Sequence, residues 1–378
     1  MGEVSGDLLA ARLLAGARER WPGLLAYGIA GPASQAQGMS AWWPHTELAV
    51  RGYAEVLRHY PRIAGVRRLL IERLLADPPD VFIGVDAPDF NLHVEKRLRE
   101  SGVPTVHFIC PSIWAWRGGR VRHLQESCDR VLCVFPFEPE LLARHGIAAT
   151  YVGHPLASVI PDEPDRAGAR QRLGLAADVP VVAVLPGSRS SEIDTNGPVF
   201  LRAVARLHAL RPELRFVLPA VPGLHARLAE LIAREAPWAG VQLLDGDSYT
   251  ALAACDVTLI ASGTATLEAA LFKRPMVVAY VMNGVSWQIM KRMGYQPWVG
   301  LPNILAQRFL VPERLQDAAT PDQLAQDILG WLDQPQRVAD LQTELHALHE
   351  RLRRDTPGLC AQALDEVLTA RRGRSPGP

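Results

Sequence analysis

Short, nearly unbroken apolar runs recur along the chain and alternate with longer segments of helical period. A strand buried on both faces reads as such a run, because neither face alternates with polar residues. Strands of that kind belong to parallel sheets, whose crossover connections are usually helices. The sequence therefore predicts an α/β fold with mostly parallel sheets. In the first half the predicted strands are 81–85, 105–109, 131–135 and 150–152. In the second half they are 179–185, 214–219, 241–244, 257–261 and 276–281, with helices such as 91–101, 199–210, 224–235 and 266–272 between them.

A chain of 378 residues exceeds the usual single-domain size, so two domains are expected. The first is placed at 1–160 and the second at 166–340, joined by the proline- and acid-rich Ile160-Pro161-Asp162-Glu163-Pro164-Asp165. The stretch 341–371 has helical period and is expected to pack back on the first domain, ahead of a breaker-rich tail at 373–378. The opening Met1-Gly2-Glu3-Val4-Ser5-Gly6-Asp7 runs directly into a helix at 8–20. It reads as the turn after a first parallel strand, with Ser5 or Asp7 as cap. That strand is missing from the sequence, and a central strand contributes about 5 to 10 kcal/mol of apolar burial.

Forty basic and forty acidic side chains balance, so no global field draws the chain to nucleic acid. Five cysteines without a C-x-x-C pair argue against a disulfide scaffold or a cysteine-built zinc site, and for a reducing compartment. No apolar run approaches a spanning helix and the start does not read as a signal peptide, so secreted, membrane-spanning and disordered classes are set aside.

Two strand-to-turn-to-helix junctions in the second half suit a nucleotide diphosphate. After the run ending at Leu185 come Pro186-Gly187-Ser188-Arg189, and after Ala261 come Ser262-Gly263-Thr264-Ala265-Thr266-Leu267-Glu268. Small residues let backbone approach phosphate, and a helix start presents free N–H groups to its charge. Arg189 adds a cation able to fork onto phosphate oxygens. Glu268, one turn in, is placed to accept from a ribose diol. Ser262 and Thr264 serve equally as simple helix caps, with Glu268 completing a capping box.

The first half offers reacting groups. Gly84-Val85-Asp86-Ala87-Pro88-Asp89-Phe90-Asn91 follows a buried strand. Asp86 leaves the strand end directly and could remove a proton from a hydroxyl nucleophile, or else bond its own turn. Asp89 reads most simply as the cap of the next helix. Trp114 and Trp116, with Arg117, follow another strand, suiting a sugar or lipid face or plain packing. His107 and His154 read equally well as satisfied core histidines. Asp245-Gly246-Asp247 mimics a D-x-D metal motif, but turn and cap chemistry accounts for it, and no other cluster has metal-ligand spacing. Between Arg51 and Arg73, six arginines (51, 58, 62, 67, 68, 73) less two glutamates (55, 72) leave +4, interleaved with leucines and preceded by Trp42-Trp43. This suits an interfacial membrane helix or an ordinary helix packed on the sheet.

Taken together these segments resemble the lipid-A-disaccharide synthase family, glycosyltransferases of the GT-B fold. The resemblance runs from Gly2–Asp7 through Gly84–Asn91, Pro111-Ser112-Ile113-Trp114-Ala115-Trp116-Arg117 and Gly153-His154-Pro155. It continues through Leu185–Arg189, Ala261–Glu268 and Leu301-Pro302-Asn303, in order over nearly the whole chain. Two departures are the missing upstream strand and Val4, where the family pattern has threonine. The resemblance implies two Rossmann-like domains facing across a cleft, and a specific reaction. UDP-2,3-diacylglucosamine and 2,3-diacylglucosamine 1-phosphate would give the β-1,6-linked lipid A disaccharide 1-phosphate and UDP, with inversion and without a metal or other cofactor. It implies Asp86 as general base, Arg189 and the helix near Ser262 on the diphosphate, and Glu268 on the ribose. Glu3, Ser5, Trp114, Trp116 and Asn303 would lie near the sugars. A single in-line displacement with the domains closing over the donor is expected. The implied setting is cytoplasmic, peripheral to the inner face of the inner membrane of Gram-negative bacteria, and the family is associated with homodimers. Rival readings are a GT-B transferase of peptidoglycan precursors, a UDP-sugar epimerase, or a non-catalytic nucleotide-binding protein.

Overall fold

The computed structural model describes residues 4–48, 53–114, 119–282, 287 and 297–372, and their side chains except at 4, 5, 53–60 and 372. The chain divides into two compact units, Met1–Pro155 with Arg351–Pro378, and Leu156–Glu350. The crossings thus fall at 155/156 and 350/351, where the sequence suggested 160 and 341.

The first unit runs α1 (Val4–Arg20), β1 (Tyr27–Ala30), α2 (Pro32–Ala36), β2 (Ser40–Pro44), α3 (Tyr53–Ala76), β3 (Phe82–Val85), α4 (Pro88–Glu100), β4 (Thr105–Phe108), α5 (Arg120–Ser127), β5 (Arg130–Cys133), α6 (Glu138–Ala143) and β6 (Ala149–Tyr151). Its strands form two parallel sheets, β1-β2 and β3-β4-β5-β6, and no strand precedes α1 among the described residues. Asp7 does not cap its own helix. It lies inside α1, and its carboxylate accepts from the amides of Gly31, Ala33 and Ser34 (2.7–3.1 Å) at the start of α2. Burial alone would raise its pKa, but the Ser34 hydroxyl and these amides hold it below the ordinary value.

The arginine-rich helix α3 is a packed helix in its described part. Val66, Leu70 and Leu74, spaced by four, are buried against Ile29, Phe90, Val94 and Leu98. Burial of that stripe is worth about 1.5–3 kcal/mol per side chain. Trp42 and Trp43 join the same core instead of forming a free aromatic face. Trp42 stacks on Tyr27 at 4.6 Å and under the Arg73 guanidinium at 3.7 Å. No helix among the described residues is long and apolar enough to cross a membrane.

The second unit runs α7 (Leu156–Val159), α8 (Arg166–Arg172), β7 (Val181–Leu185), α9 (Ser190–Leu210), β8 (Arg215–Ala220), α10 (His225–Glu235), β9 (Val241–Asp245), α11 (Ser248–Ala254), β10 (Val257–Ala261), α12 (Thr264–Leu271), β11 (Met276–Tyr280), α13 (Leu301–Ala306), β12 (Glu313–Leu315), α14 (Pro321–Leu332) and α15 (Pro335–Leu352). The parallel sheet has the order β12-β11-β10-β7-β8-β9. The chain builds outward from β7 to β9, returns to β10 beside β7, and builds outward again. Ligands bind in open α/β sheets where the order reverses, outside the strand carboxyl ends. Here that point lies between β7 and β10, where Leu185 pairs with Ile260.

The stretch 341–371, expected as one helix, is two. The chain breaks at Arg353–Asp355, and α16 (Thr356–Arg372) packs against α1. A Cβ on Gly16 would lie 2.1 Å from the Pro357 carbonyl oxygen, so glycine permits this approach.

Candidate active site

In the second unit, both predicted phosphate turns sit at the switch point. Gly187 has φ +133°, and a Cβ there would lie 2.5 Å from the Glu192 Cβ. Glu192 reaches back from the first turn of α9. Its Oε2 accepts from the amides of Ser188 (2.9 Å) and Arg189 (3.2 Å), and its Oε1 accepts from the Arg189 guanidinium at 2.9 Å. The Arg189 side chain is 77% exposed, so this restraint leaves it presented to solvent. Asn196, fully buried, ties the same loop to the residue just past β11: Nδ2 donates to Pro186 O at 3.1 Å, and Oδ1 accepts from Val281 N at 2.7 Å.

On β10 the chain turns at Gly263, φ +148°, with open space where a Cβ would stand. Ser262 does not cap the helix; its hydroxyl donates to Val299 O at 2.9 Å. Gly263 is the N-cap of α12, with no side chain bonding the first amides, and Gly263 and Thr264 are exposed. That helix start therefore keeps N–H groups for a ligand. Glu268 is half-buried, and burial pushes its pKa up although Tyr249 donates a hydrogen bond to it. The Tyr249 hydroxyl is itself pushed up to about 12 by burial and by Glu268. Asp247 caps α11 by accepting from Thr250 N at 3.2 Å, the ordinary cap chemistry expected of the D-x-D segment.

Asn303, expected near the sugars, is instead committed to the fold. It is fully buried; Nδ2 donates to Val311 O (2.9 Å) and Glu313 Oε1 (2.8 Å), and Oδ1 accepts from the amides of Leu310 and Val311. Glu313 also accepts from Val299 N and Gly300 N, and burial raises its pKa. The pair fixes the turn before α13, beside the carbonyl that Ser262 uses.

In the first unit, Asp86 leaves β3 in the left-handed region, φ 51°, followed by Ala87 at 44°. It lines a cavity of about 370 Å³ with Pro88, Asp89, Ile109, Cys110, Pro111, Ser112 and Arg120. Ile109, just past the carboxyl end of β4, has φ 79°, a strained conformation for a β-branched residue. Among the described residues the Asp86 carboxylate has no hydrogen-bond partner. Asp89 is not the cap: Ala87 is, and exposed Asp89 accepts from Arg120 at 2.6 Å. Trp114 is outside the cavity lining. Its Nε1 donates to Glu138 at 3.1 Å, and its ring meets Phe135 and Phe137 edge-on. Glu3, Trp116 and Arg117 lie outside the described residues, as does the side chain of Ser5.

Glu192, Asn196, Tyr249, Glu313 and Glu138 carry the sites' support but form no motif readable in the chain. Only Glu192 had a local signal, a carboxylate three residues past a turn.

Each unit is Rossmann-like, with turns suited to ligands at strand carboxyl ends, which is the two-unit architecture of the GT-B fold. The chain resembles the solved structures of a glycosyltransferase from Rickettsia africae (TM-score 0.58, 12% identity, 99% of this chain and 97% of that one) and of UDP-GlcNAc 2-epimerase from Neisseria meningitidis bound to UDP-GlcNAc (TM-score 0.61, 11% identity, 96% of each). The family model for lipid-A-disaccharide synthetase matches residues 1–364. Lipid-A-disaccharide synthase of Albidiferax ferrireducens is 58% identical over 372 residues, 97% of this chain and 96% of that protein. The Paraburkholderia phytofirmans protein of the same name is 51% identical over 378 residues, 99% and 96% of the two chains. The chain belongs to the lipid-A-disaccharide synthase family, hexosyltransferases of lipid A biosynthesis that use a UDP-sugar donor and a lipid acceptor. The rival transferase, epimerase and non-catalytic readings are not favoured.

Proposed function

We propose that the chain condenses UDP-2,3-diacylglucosamine with 2,3-diacylglucosamine 1-phosphate in one in-line displacement. Asp86 takes the proton of the acceptor 6-hydroxyl while that oxygen bonds the anomeric carbon from the face opposite UDP. The anomeric carbon–oxygen bond to UDP breaks, and its electron pair leaves on the diphosphate. Arg189 and the free amides of α12 take up that charge, so no metal is required. Glu268, oriented by Tyr249, holds the ribose. The observation that carries the reading is Asp86 itself, a carboxylate at a strand end, lining a cavity and held in a left-handed turn.

The test is UDP release by the purified chain in detergent, with and without acceptor. Release that depends on acceptor and yields disaccharide is expected. Asp86→Asn abolishes turnover and leaves UDP affinity intact; surviving turnover would remove Asp86 as base. Turnover persists in EDTA, and a loss reversed only by added Mg²⁺ would overturn the metal-free part.

Peripheral attachment to the inner face of the cytoplasmic membrane belongs to the same reading. It is supported by exposed Arg68 and Leu69 on the outer side of α3 and by the acyl chains of both substrates. Flotation with anionic but not neutral vesicles is the expected result. Light scattering checks the homodimer associated with the family.

A further inference from the structure

Asn91 and Glu95 stand one helical turn apart on the face of α4 that meets the sheet, and both are almost wholly buried. Gly84, two residues before Asp86, lets them fit. A Cβ there would lie 2.0 Å from Glu95 Oε1 and 2.8 Å from Asn91 Cβ. Asn91 Nδ2 donates to Val85 O at 3.2 Å and to Asp86 O at 2.6 Å. One turn on, Glu95 Oε1 and His107 Nδ1 are 2.7 Å apart, and His107 sits on β4 in register with Gly84. The two side chains are fully buried, and Glu95 Oε2 and His107 Nε2 have no partner, so the pair is tied only to itself. The next residue on β4, Phe108, accepts the Asp86 amide at 2.9 Å.

Asp86 is therefore gripped by its amide from β4 and by its carbonyl from α4, while its side chain faces the cavity. Two consecutive non-glycine residues at φ 51° and 44° persist only where surrounding structure over-determines them. We infer that Asn91 is the positioning residue for Asp86, and that the Glu95–His107 pair locks the α4 face carrying Asn91 onto the strand end. Without the two Nδ2 bonds the turn relaxes toward an ordinary backbone conformation, which swings the Asp86 Cα–Cβ bond away from the cavity. The inference rests on Asp86 being the proton acceptor.

The test measures steady-state turnover, UDP affinity and thermal unfolding in Asn91→Leu, which keeps volume and loses the donor. A misplacement of about 1 Å costs about 100-fold in rate, so kcat is expected to fall about 100-fold with KM and UDP affinity unchanged. Thr105→Val, in the same sheet at the opposite end of β4, removes a buried hydroxyl bond to Ser127 O and serves as the comparator. It is expected to lower the unfolding temperature without lowering kcat. A cycle with Asp86→Glu, which keeps a displaced carboxylate, isolates the coupling. In that background Asn91→Leu is expected to cost less than about threefold. Unchanged kcat in Asn91→Leu, a loss matched by Thr105→Val, or losses that multiply in the cycle would each overturn the inference. If Asn91→Leu does not fold, Asn91→Ser, with a donor for one carbonyl, carries the same comparison with an expected loss of about tenfold. Full turnover in Asp86→Asn would overturn the base reading instead, which keeps the two failures apart.

Discussion

Glu138 and His154 make the pH dependence of stability a sharp test of how the first unit is packed. Glu138 is 1% exposed, and its carboxyl accepts from Phe135 N at 3.0 Å and from the Trp114 indole. Burial nevertheless pushes it from the ordinary 4.5 up to about 8. Phe135 stacks at 5.3 Å on His154, which burial pushes down from 6.5 to about 4. The two act in opposite senses. For Glu138 the folded state binds more protons than the unfolded one between pH 4.5 and 8, so stability falls as pH rises through that window. For His154 the folded state binds fewer protons between about 4 and 6.5, so stability rises with pH there. Each slope is about 1.4 kcal/mol per pH unit. From pH 4.5 to 6.5 these two contributions cancel, and from 6.5 to 8 the Glu138 contribution removes about 2 kcal/mol. Glu138→Gln deletes one slope. Relative to the parent chain, the variant is expected to gain about 1.4 kcal/mol of stability per pH unit between pH 4.5 and 8. Urea unfolding midpoints at fixed ionic strength between pH 5 and 8.5, compared with the parent chain, measure this directly. Parallel pH curves for parent and variant would refute the assignment of a buried, uncharged Glu138 beneath Trp114.

Arg189→Ala should weaken UDP binding about tenfold to a hundredfold, the worth of one charge-assisted contact, while its exposed pair with Glu192 makes the change nearly silent in thermal unfolding. Unchanged UDP affinity by calorimetry would remove Arg189 from the phosphate site. Gly187→Ala should lower UDP affinity together with stability, by about 2 kcal/mol or more in stability, because the new Cβ meets Glu192 at φ +133°. Normal affinity in that variant would show that the Glu192 restraint does not shape the loop. Asn303→Ala should cost about 3 kcal/mol or more, since it strands two amides and a carbonyl and removes one of the donors to the Glu313 carboxylate. A loss of UDP affinity with unchanged stability would instead restore Asn303 as a ligand contact.

The strands of both sheets that carry the sites were readable to within a residue or two at each end, and so were their turns. Val181–Leu185 and Val257–Ala261 are buried on both faces, so composition alone marks them, and glycine marks each exit because the turn needs positive φ at Gly187 and Gly263. Asp86 and Arg189 were legible as groups emerging from strand ends. The short edge strands Tyr27–Ala30, Ser40–Pro44 and Glu313–Leu315 were not, since among the described residues each pairs on one side only and carries glycine, proline or charge where a central strand carries valine. Local sequence thus determined the α/β class, the strand ends and the small residues a phosphate requires, because periodicity and permitted φ are properties of neighbours in the chain. Tertiary structure alone decided that Asn303 serves the fold, that Trp114 packs on Glu138, that Asp7 caps a helix 24 residues away and that Asn91 grips the Asp86 turn. In each case the partner is a backbone amide, a carbonyl or a buried carboxyl. Such groups are present in every sequence, and only folding determines which of them a given side chain meets.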